Sequence, residues 1–146
     1  MKQLQIIFTI SWVLLGCGNP GSGYKEIPPE EVIRRHIQFL NEKNVDAAES
    51  CLVKDRRNQI DWQFDFQKSI RLISLTEETN PDVAKSYMET GRGSITHPAK
   101  LKVFLVEIQR EYNSEAFYFE ADRDKWHYFV VRQTEESPWL IDDWGV

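Results

Sequence analysis

The apolar positions after residue 28 follow a helical spacing. Two prolines and two acids stand at the start of this stretch, from Pro28 to Glu31, which is typical of the positively polarised first turn of a helix. The pattern predicts a helix that stops near Asn44. The residues that share its apolar stripe are Val32, Ile33, His36, Ile37, Phe39 and Leu40. A second, short helix through about Leu52 is predicted by the sequence from Asp46 to Glu49, which resembles a capping box.

The period of the apolar positions then changes to two. Trp62, Phe64 and Phe66 alternate with polar residues and predict a short extended or docking segment. The alternation from Ile70 to Leu75 predicts a strand that ends before the turn-prone residues 79–82. Residues 82–98 are ambiguous, because their first part fits a turn of helix but two glycines, at 91 and 93, interrupt a longer one.

Three more strands are predicted in the C-terminal part. The longest runs from Leu101 to Tyr112, and Lys125 to Arg132 and Pro138 to Trp144 give two more, while residues 116–121 could pair locally. In the last strand, Trp139 shares one face with Ile141, and Leu140 shares the other with Asp142; we expect Trp139 or Leu140 to be in the core. These elements predict an α+β domain, in which an N-terminal helical hairpin packs on a curved antiparallel sheet and leaves a conical cavity at one end.

The N-terminus has the pattern of an export signal. Nine of the twelve residues from Leu4 to Leu15 are apolar, which is too short for a membrane span but fits a signal peptide. The sequence Leu14-Leu15-Gly16-Cys17 resembles a bacterial lipobox, in which the cysteine receives a diacylglycerol; an ordinary secretory signal that carries a cysteine is the alternative. We therefore predict a signal peptide at 1–16, lipidation of Cys17, a flexible tether at 17–28 and a single domain at 29–146.

This organisation predicts a location at the membrane surface and the lipid bilayer as a partner. A diacylglycerol at Cys17 would hold the domain on the membrane surface, outside the cytoplasm. Cys51 would then have no partner for a disulfide, and we expect it to be a buried, chemically quiet thiol; the cations at 54, 56 and 57 keep a reactive thiol as the alternative. Eighteen Lys and Arg against 23 Asp and Glu give a net charge of −5, which disfavours nucleic acid as a partner.

Two C-terminal segments carry a resemblance to a known family. The sequences WHYFVVR, at 126–132, and SPWLIDDWG, at 137–145, resemble the closing strands of a family of small Gram-positive lipoproteins of unknown function. That family is similar to the cystatin-like, nuclear transport factor 2-like superfamily, so the resemblance implies a cone-shaped α+β domain. It implies no catalytic residues, because the superfamily includes isomerases, dehydratases and binding modules.

The candidates for chemistry are few. The three histidines, His36, His97 and His127, have no metal-ligand spacing, and we predict neither a metal site nor a cofactor. His127 on one strand could pair with Asp142 or Asp143 on the next as an acid–base couple, although a packing role for His127 is the simpler interpretation. Only one of the two adjacent aspartates can face a cavity, where it would be a candidate general base. The simpler interpretation is that one faces solvent and the other binds a backbone donor or an arginine such as Arg132.

A binding module is the function that these features favour. The aromatic candidates for a binding surface are Trp126, Tyr128, Trp139 and Trp144, which could equally be core residues. We therefore predict a non-catalytic, membrane-anchored module for an unknown small ligand or protein. The alternative is a small isomerase- or dehydratase-like enzyme that uses His127 or Asp142 inside the cone. A cavity with an inward carboxylate would favour the enzyme, and a cone filled by aromatic rings would favour the interaction protein.

Overall fold

The computed structural model describes residues 26–113 and 122–145. The predicted signal peptide, Cys17, most of the predicted tether and the proposed pairing of residues 116–121 lie outside these ranges. The helices are α1 (Pro29–Asn41), α2 (Val45–Ser50), α3 (Pro81–Glu89) and α4 (Gly93–Thr96), with a 3₁₀ turn at Lys54–Arg56. The strands are β1 (Gln67–Glu77), β2 (Lys100–Tyr112), β3 (Asp122–Arg132) and β4 (Leu140–Gly145). The described chain is thus α+β.

The four strands form one open antiparallel sheet in the order β1-β2-β3-β4. Register shifts interrupt the β1–β2 pairing twice and the β3–β4 pairing once, between Phe129 and Val130. Such bulges increase the twist and bend of a sheet. The outer edge of β4 is covered by the segment after α2, because Ile141 donates to the Cys51 carbonyl and accepts from the Val53 N–H, both at 2.9 Å.

The first helix confirms the sequence pattern. Pro28 precedes α1, Pro29 occupies its first turn, and Glu30 and Glu31 lie beside the unpaired N–H groups there. Its buried stripe is Val32, Ile33, His36, Ile37 and Leu40. The helix ends at Asn41, three residues before the predicted stop, and packs on the sheet and on α2.

The predicted capping box for the second helix is wrong. The cap is Asn44, whose side chain accepts a hydrogen bond from the Ala47 N–H at 3.2 Å, so α2 begins at Val45. Glu49 does not complete a box either, since its side chain is buried and accepts from the Asn58 N–H at 3.0 Å. Asn44, which the sequence predicts as the end of the first helix, is therefore the N-cap of the second.

Hydrophobic side chains pack on both faces of the sheet. The face under α1 and α2, called the helix side here, buries Phe104, Val106, Ile108, Tyr128, Val130 and Ile141. The opposite face carries α3, where Tyr87 and Met88 pack with Leu101, Phe129, Val131 and Leu140. Along β2, residues 104, 106 and 108 lie together on the helix side, as the period-two alternation of a strand requires. The helix α3 is longer than the single turn expected: Asn80 caps it and Pro81 starts it.

The expectation that Trp139 or Leu140 is in the core is met only in part. Trp139 and Leu140 are partly buried and each packs against one of the two buried clusters, whereas Ile141 between β3 and the segment after α2 is fully buried. Trp139 precedes β4 and lies under the Arg132 guanidinium, whose central carbon is 4.9 Å from the ring centroid. The described residues include no helix that is long and apolar enough to cross a membrane.

Candidate functional site

A pocket of about 150 Å³ opens on the helix side of the sheet, at the end where β2 finishes and β3 begins. We call it the helix-side pocket. Its buried residues are His36 and Leu40 of α1, Gln67 of β1 and Tyr128 of β3, and Asp61 and Gln63 are exposed lining residues. The other lining residues are Ile60, Trp62, Arg110, Trp126 and Trp144. The pocket is thus enclosed by a helix, an irregular segment and residues of all four strands.

His36 is the most buried polar residue of the pocket. Its ring is fully buried, and Nδ1 donates to the Ala48 carbonyl at 3.0 Å, which fixes the proton on Nδ1 because a carbonyl oxygen only accepts. Burial lowers the pKa of His36 to about 4, although the bond to Ala48 opposes this shift. The imidazole is therefore neutral at pH 7, and Nε2 carries a lone pair. No partner for Nε2 occurs in the described part of the chain.

Two further groups that line the pocket are buried without a hydrogen bond. These are the indole Nε1 of Trp62 and the Nε of Arg110, neither of which has a partner within residues 26–113 and 122–145. Arg110 is held over the ring of Trp126, with 4.8 Å from its guanidinium carbon to the ring centroid, and its Nε is 3.9 Å from the Asp124 carboxylate. A buried group without a partner typically costs about 1–3 kcal/mol. Three such groups line this one pocket, which makes it the candidate site.

Aromatic rings form one wall of the pocket. Trp62 stacks on Trp144 at a centroid distance of 6.2 Å, and Trp144 stacks on Tyr128 at 5.9 Å, with 17° between the planes in both pairs. Phe64 extends the stack beyond Trp62 at 6.3 Å, and the edge of His36 meets Trp62 at 5.5 Å. Burial raises the pKa of Tyr128 to about 12, so its hydroxyl stays protonated. Flat rings and a few polar groups are the usual lining of a small-molecule site.

Three of the four aromatic candidates from the sequence meet in this pocket. Trp126, Tyr128 and Trp144 line it, whereas Trp139 does not. Trp139 instead lines a groove of about 940 Å³ beside α1, together with Val32, Phe39 and Cys51. The cations of that groove have partners: Arg35 binds Glu31, Arg57 binds the Leu52 carbonyl, and Arg132 binds the Glu135 carbonyl and Glu26. One polar atom of the groove lining, the Nε of Arg132, is buried without a hydrogen bond to any described residue, compared with three in the helix-side pocket.

The two acid–base candidates are engaged with other partners and line neither cavity. His127 donates from Nε2 to the Glu78 carboxylate at 3.1 Å. Asp142 is fully buried on the face opposite to α1, where it accepts from the Tyr87 hydroxyl and binds Arg92. The structure therefore brings together neither His127 with Asp142 nor either residue with the helix-side pocket.

Arg132 is not the partner of either aspartate, contrary to the sequence-based suggestion. Asp143 pairs with Arg56 at 3.3 Å, and Asp142 with Arg92 at 3.1 Å. Arg132, on the neighbouring strand β3, instead donates to the carbonyl of Glu135 in the turn between β3 and β4. Burial raises the pKa of Asp143, and Arg56 opposes that shift.

Comparison with known proteins shows the family. The model of a family described as a domain of unknown function, DUF4829, matches residues 30–145. The chain belongs to the DUF4829 family. No curated protein and no solved structure matches it. The DUF4829 region covers every element from α1 to β4, so the helix-side pocket is built entirely from the family's own domain.

Sequence reasoning did not single out His36, Trp62 or Arg110 as residues of a common site. A signal existed for His36, because it is the only ionisable residue on an otherwise apolar helical stripe. Trp62 belongs to the predicted docking segment, but its place at the pocket depends on how that irregular segment folds back over the sheet. Arg110 had no comparable signal. The described residues contain no cluster of three or more His, Cys, Asp or Glu that could hold a metal ion.

Proposed function

We propose that this protein is a lipid-anchored binding module on the outer face of the cytoplasmic membrane, which holds a small molecule in the helix-side pocket. One observation carries the binding function: His36, Trp62 and Arg110 line a single pocket, and each presents a buried polar atom without a hydrogen bond. A ligand with complementary groups would remove the cost of burying them.

The proposed anchor rests on the N-terminal sequence. An apolar run without charges, from Leu4 to Leu15, ends at Gly16-Cys17, and a stretch rich in glycine and proline separates this cysteine from α1. A diacylglycerol on Cys17 would keep the domain close to the membrane while the tether leaves the pocket accessible. The proposed partner of the N-terminus is therefore the lipid bilayer itself.

A cystatin-like, nuclear transport factor 2-like architecture is part of this proposal. An antiparallel sheet with bulges, a long helix against one of its faces and a pocket on that same face support it. The helices α3 and α4, with Tyr87 and Met88 against the opposite face, are an addition to that simple plan.

Binding is favoured over catalysis by the groups that the pocket presents. A general base works best with a pKa near the operating pH, and the pKa of His36 is far below it. Asp61 is the carboxylate among the lining residues, but it is exposed. His127 and Asp142, the residues on which the enzyme alternative depends, contact Glu78 and the pair Tyr87 and Arg92.

The anchor is tested by the mass of the protein extracted from membranes. We expect residues 17–146 plus a diacylglycerol-containing modification at the new N-terminus. Cys17→Ser should leave the signal peptide uncleaved by the lipoprotein peptidase and should lack the lipid. An unmodified Cys17, or a Cys17→Ser protein that is cleaved and retained on membranes as the parent is, contradicts the anchor.

Binding is tested with the full-length chain in detergent micelles. Because three tryptophans line the helix-side pocket, ligands from a library of one-ring compounds should change the tryptophan fluorescence and raise the melting temperature. His36→Phe should weaken these effects for compounds that donate a hydrogen bond to Nε2, whereas the matched control His127→Gln, at a histidine outside the pocket, should keep them. A library in which no compound changes the tryptophan fluorescence or the melting temperature would contradict the proposed function.

A further inference from the structure

We propose that the ligand is a planar, uncharged molecule of about one ring, which donates an N–H or O–H group to His36 and accepts hydrogen bonds from Trp62 and Arg110 with a carbonyl-type oxygen. This inference rests on the proposed binding function and specifies the chemistry of the same pocket. It follows from four features of the pocket: the lone pair of His36, the two unpaired donors, the balance of charges and the size of the space.

The lone pair of His36 requires a donor on the ligand. The Nδ1–H group is used by the Ala48 carbonyl, so Nε2 can only accept. Burial keeps the ring neutral at pH 7, with a pKa of about 4, so protonation does not turn Nε2 into a donor. A ligand without an N–H or O–H group at this position would leave the lone pair buried and unpaired.

The other two unpaired groups require an acceptor. Trp62 Nε1 and Arg110 Nε each carry a hydrogen and no lone pair, so they can only donate. The ring centroids of Trp62 and His36 are 5.5 Å apart. The hydrogen-bond acceptor of His36 and the hydrogen-bond donor of Trp62 therefore belong to neighbouring rings of one pocket. A group that has a carbonyl oxygen and an N–H side by side, such as a primary amide, matches this arrangement.

The charges around the pocket disfavour an ionised ligand. The positive charge of Arg110 already faces the Asp124 carboxylate at 3.9 Å, and Asp61 lines the opening. A carboxylate ligand would meet these two negative groups, and an ammonium ligand would meet Arg110. Moving an ion out of water costs several kcal/mol unless it is well paired. A neutral carbonyl accepts the same hydrogen bonds without this cost.

The volume and the walls restrict the ligand to one flat ring. About 150 Å³ is the size of a cavity that holds a benzene molecule in other proteins. It is well below the roughly 300–1,000 Å³ of sites for drug-sized ligands. Trp62, Trp126 and Trp144 offer flat apolar surfaces, on which a planar ring packs with the largest contact.

Three ligands of nearly identical shape separate these requirements. Benzamide has the carbonyl and the N–H group, acetophenone keeps the carbonyl but replaces the amine by a methyl group, and benzoate has two acceptor oxygens and a negative charge. Each would be titrated into the full-length chain in detergent micelles, with ¹⁵N-labelled histidine observed by NMR. We expect benzamide to move the Nε2 resonance of His36 and to bind about 10-fold more tightly than either analogue, the equivalent of about 1.4 kcal/mol.

Variants identify the groups that cause this preference. His36→Phe keeps a ring but lacks the lone pair, so benzamide and acetophenone should bind it with equal affinity. Trp62→Phe lacks the indole N–H and should weaken both of these ligands. The control His127→Gln, outside the pocket, should keep the full preference for benzamide. The comparison of the three ligands on the unaltered protein needs no variant, so it decides the proposal even if a substitution impairs folding.

The outcomes distinguish the ligand class from the proposed function. Benzoate or acetophenone that moves the His36 resonance and binds as tightly as benzamide overturns the ligand class but leaves the pocket as a binding site. Benzamide that leaves the His36 resonance unchanged also overturns the ligand class. If, in addition, no compound of the one-ring library moves that resonance, the proposed function itself is overturned.

Discussion

Tyr87 on α3 donates a hydrogen bond from its hydroxyl to the carboxyl group of Asp142 on β4, and both side chains are buried. Arg92 binds both oxygens of the same carboxyl group, at 3.1 and 3.2 Å. Burial and the contact with Asp142 raise the pKa of Tyr87 above its ordinary value, which keeps the hydroxyl a donor. Asp142 thus attaches α3 and the start of α4 to the face of the sheet opposite to the helix-side pocket.

Removal of this buried acid should be costly. We expect Asp142→Asn to lower the free energy of unfolding by about 3 kcal/mol, because Arg92 loses its buried partner. Asp55→Asn is the matched control: Asp55 binds the same guanidinium at 2.6 Å but is exposed, so its loss should cost less than about 1 kcal/mol. Urea unfolding at pH 7 measures both. Equal losses in the two variants would show that Asp142 has no special role in stability.

Ile141 should be the most sensitive position of the last strand. It is fully buried, and its backbone binds the segment from Cys51 to Val53. We expect Ile141→Ala to cost about 2–5 kcal/mol, and Trp139→Ala to cost less, because Trp139 is only partly buried and packs on one side against Arg132. Thermal melts of the two variants give the order, and a larger loss for Trp139→Ala would contradict it.

Deletion of residues 137–146 tests the strand as a whole. It removes β4 and with it the partner of β3, the backbone bonds to Cys51 and Val53, and the buried acid that holds α3. We expect no cooperative melt. A truncated chain that melts near the parent temperature would mean that the C-terminal strand contributes little to the fold.

The elements that the sequence predicts well are those that follow from a local pattern. The stripe of Ile33, Ile37 and Leu40 specifies α1, and the alternation along β2 specifies both its extent and its faces. The cap at Asn44 was misassigned because Asn suits a helix end and a helix start, and only the fold decides between them. For α3, the Asn80-Pro81 start is a local signal that outweighs the glycines beyond its end.

The site is less predictable, because it depends on contacts between distant residues. Trp126, Tyr128 and Trp144 could be identified as candidates from their aromatic character alone. The positions and partners of the polar residues could not be identified in this way. Arg110 and Trp62 line the same pocket only through the fold, and Asp142 pairs with Arg92 rather than with Arg132, which is closer to it in the sequence. A side chain as long as that of arginine can reach several acids, so strand proximity does not specify its partner.

Cys51 should react slowly with a maleimide in the folded protein. Its burial is confirmed, and burial raises the pKa of the thiol, more than the nearby Arg35 and Arg57 lower it. Both effects reduce the amount of accessible thiolate, which is the reactive species. Labelling of Cys17→Ser, in which Cys51 is the remaining thiol, should be slow in buffer and fast in urea. Equal rates would support the reactive thiol that the neighbouring cations suggested.

The burial of His36 should make the stability depend on pH. The pKa of His36 is about 4 in the folded state and 6.5 as the reference value, so between these values the unfolded chain binds a proton that the folded domain does not. The contribution of His36 is therefore fully present above pH 6.5 and is lost as the pH falls towards 4. At pH 5 the loss should be about 2 kcal/mol relative to pH 7.

The variant His36→Phe isolates this contribution, because it removes the titrating ring and keeps an aromatic side chain at the position. Its unfolding free energy, measured in urea from pH 7 to pH 4.5, should fall less steeply than that of the parent, and the difference between the curves should reach about 2 kcal/mol at pH 5. His127→Gln serves as the control for the loss of a histidine outside the pocket. Parallel curves for the parent and His36→Phe would mean that His36 is not held neutral by burial, and its role as a hydrogen-bond acceptor in the pocket would fail with it.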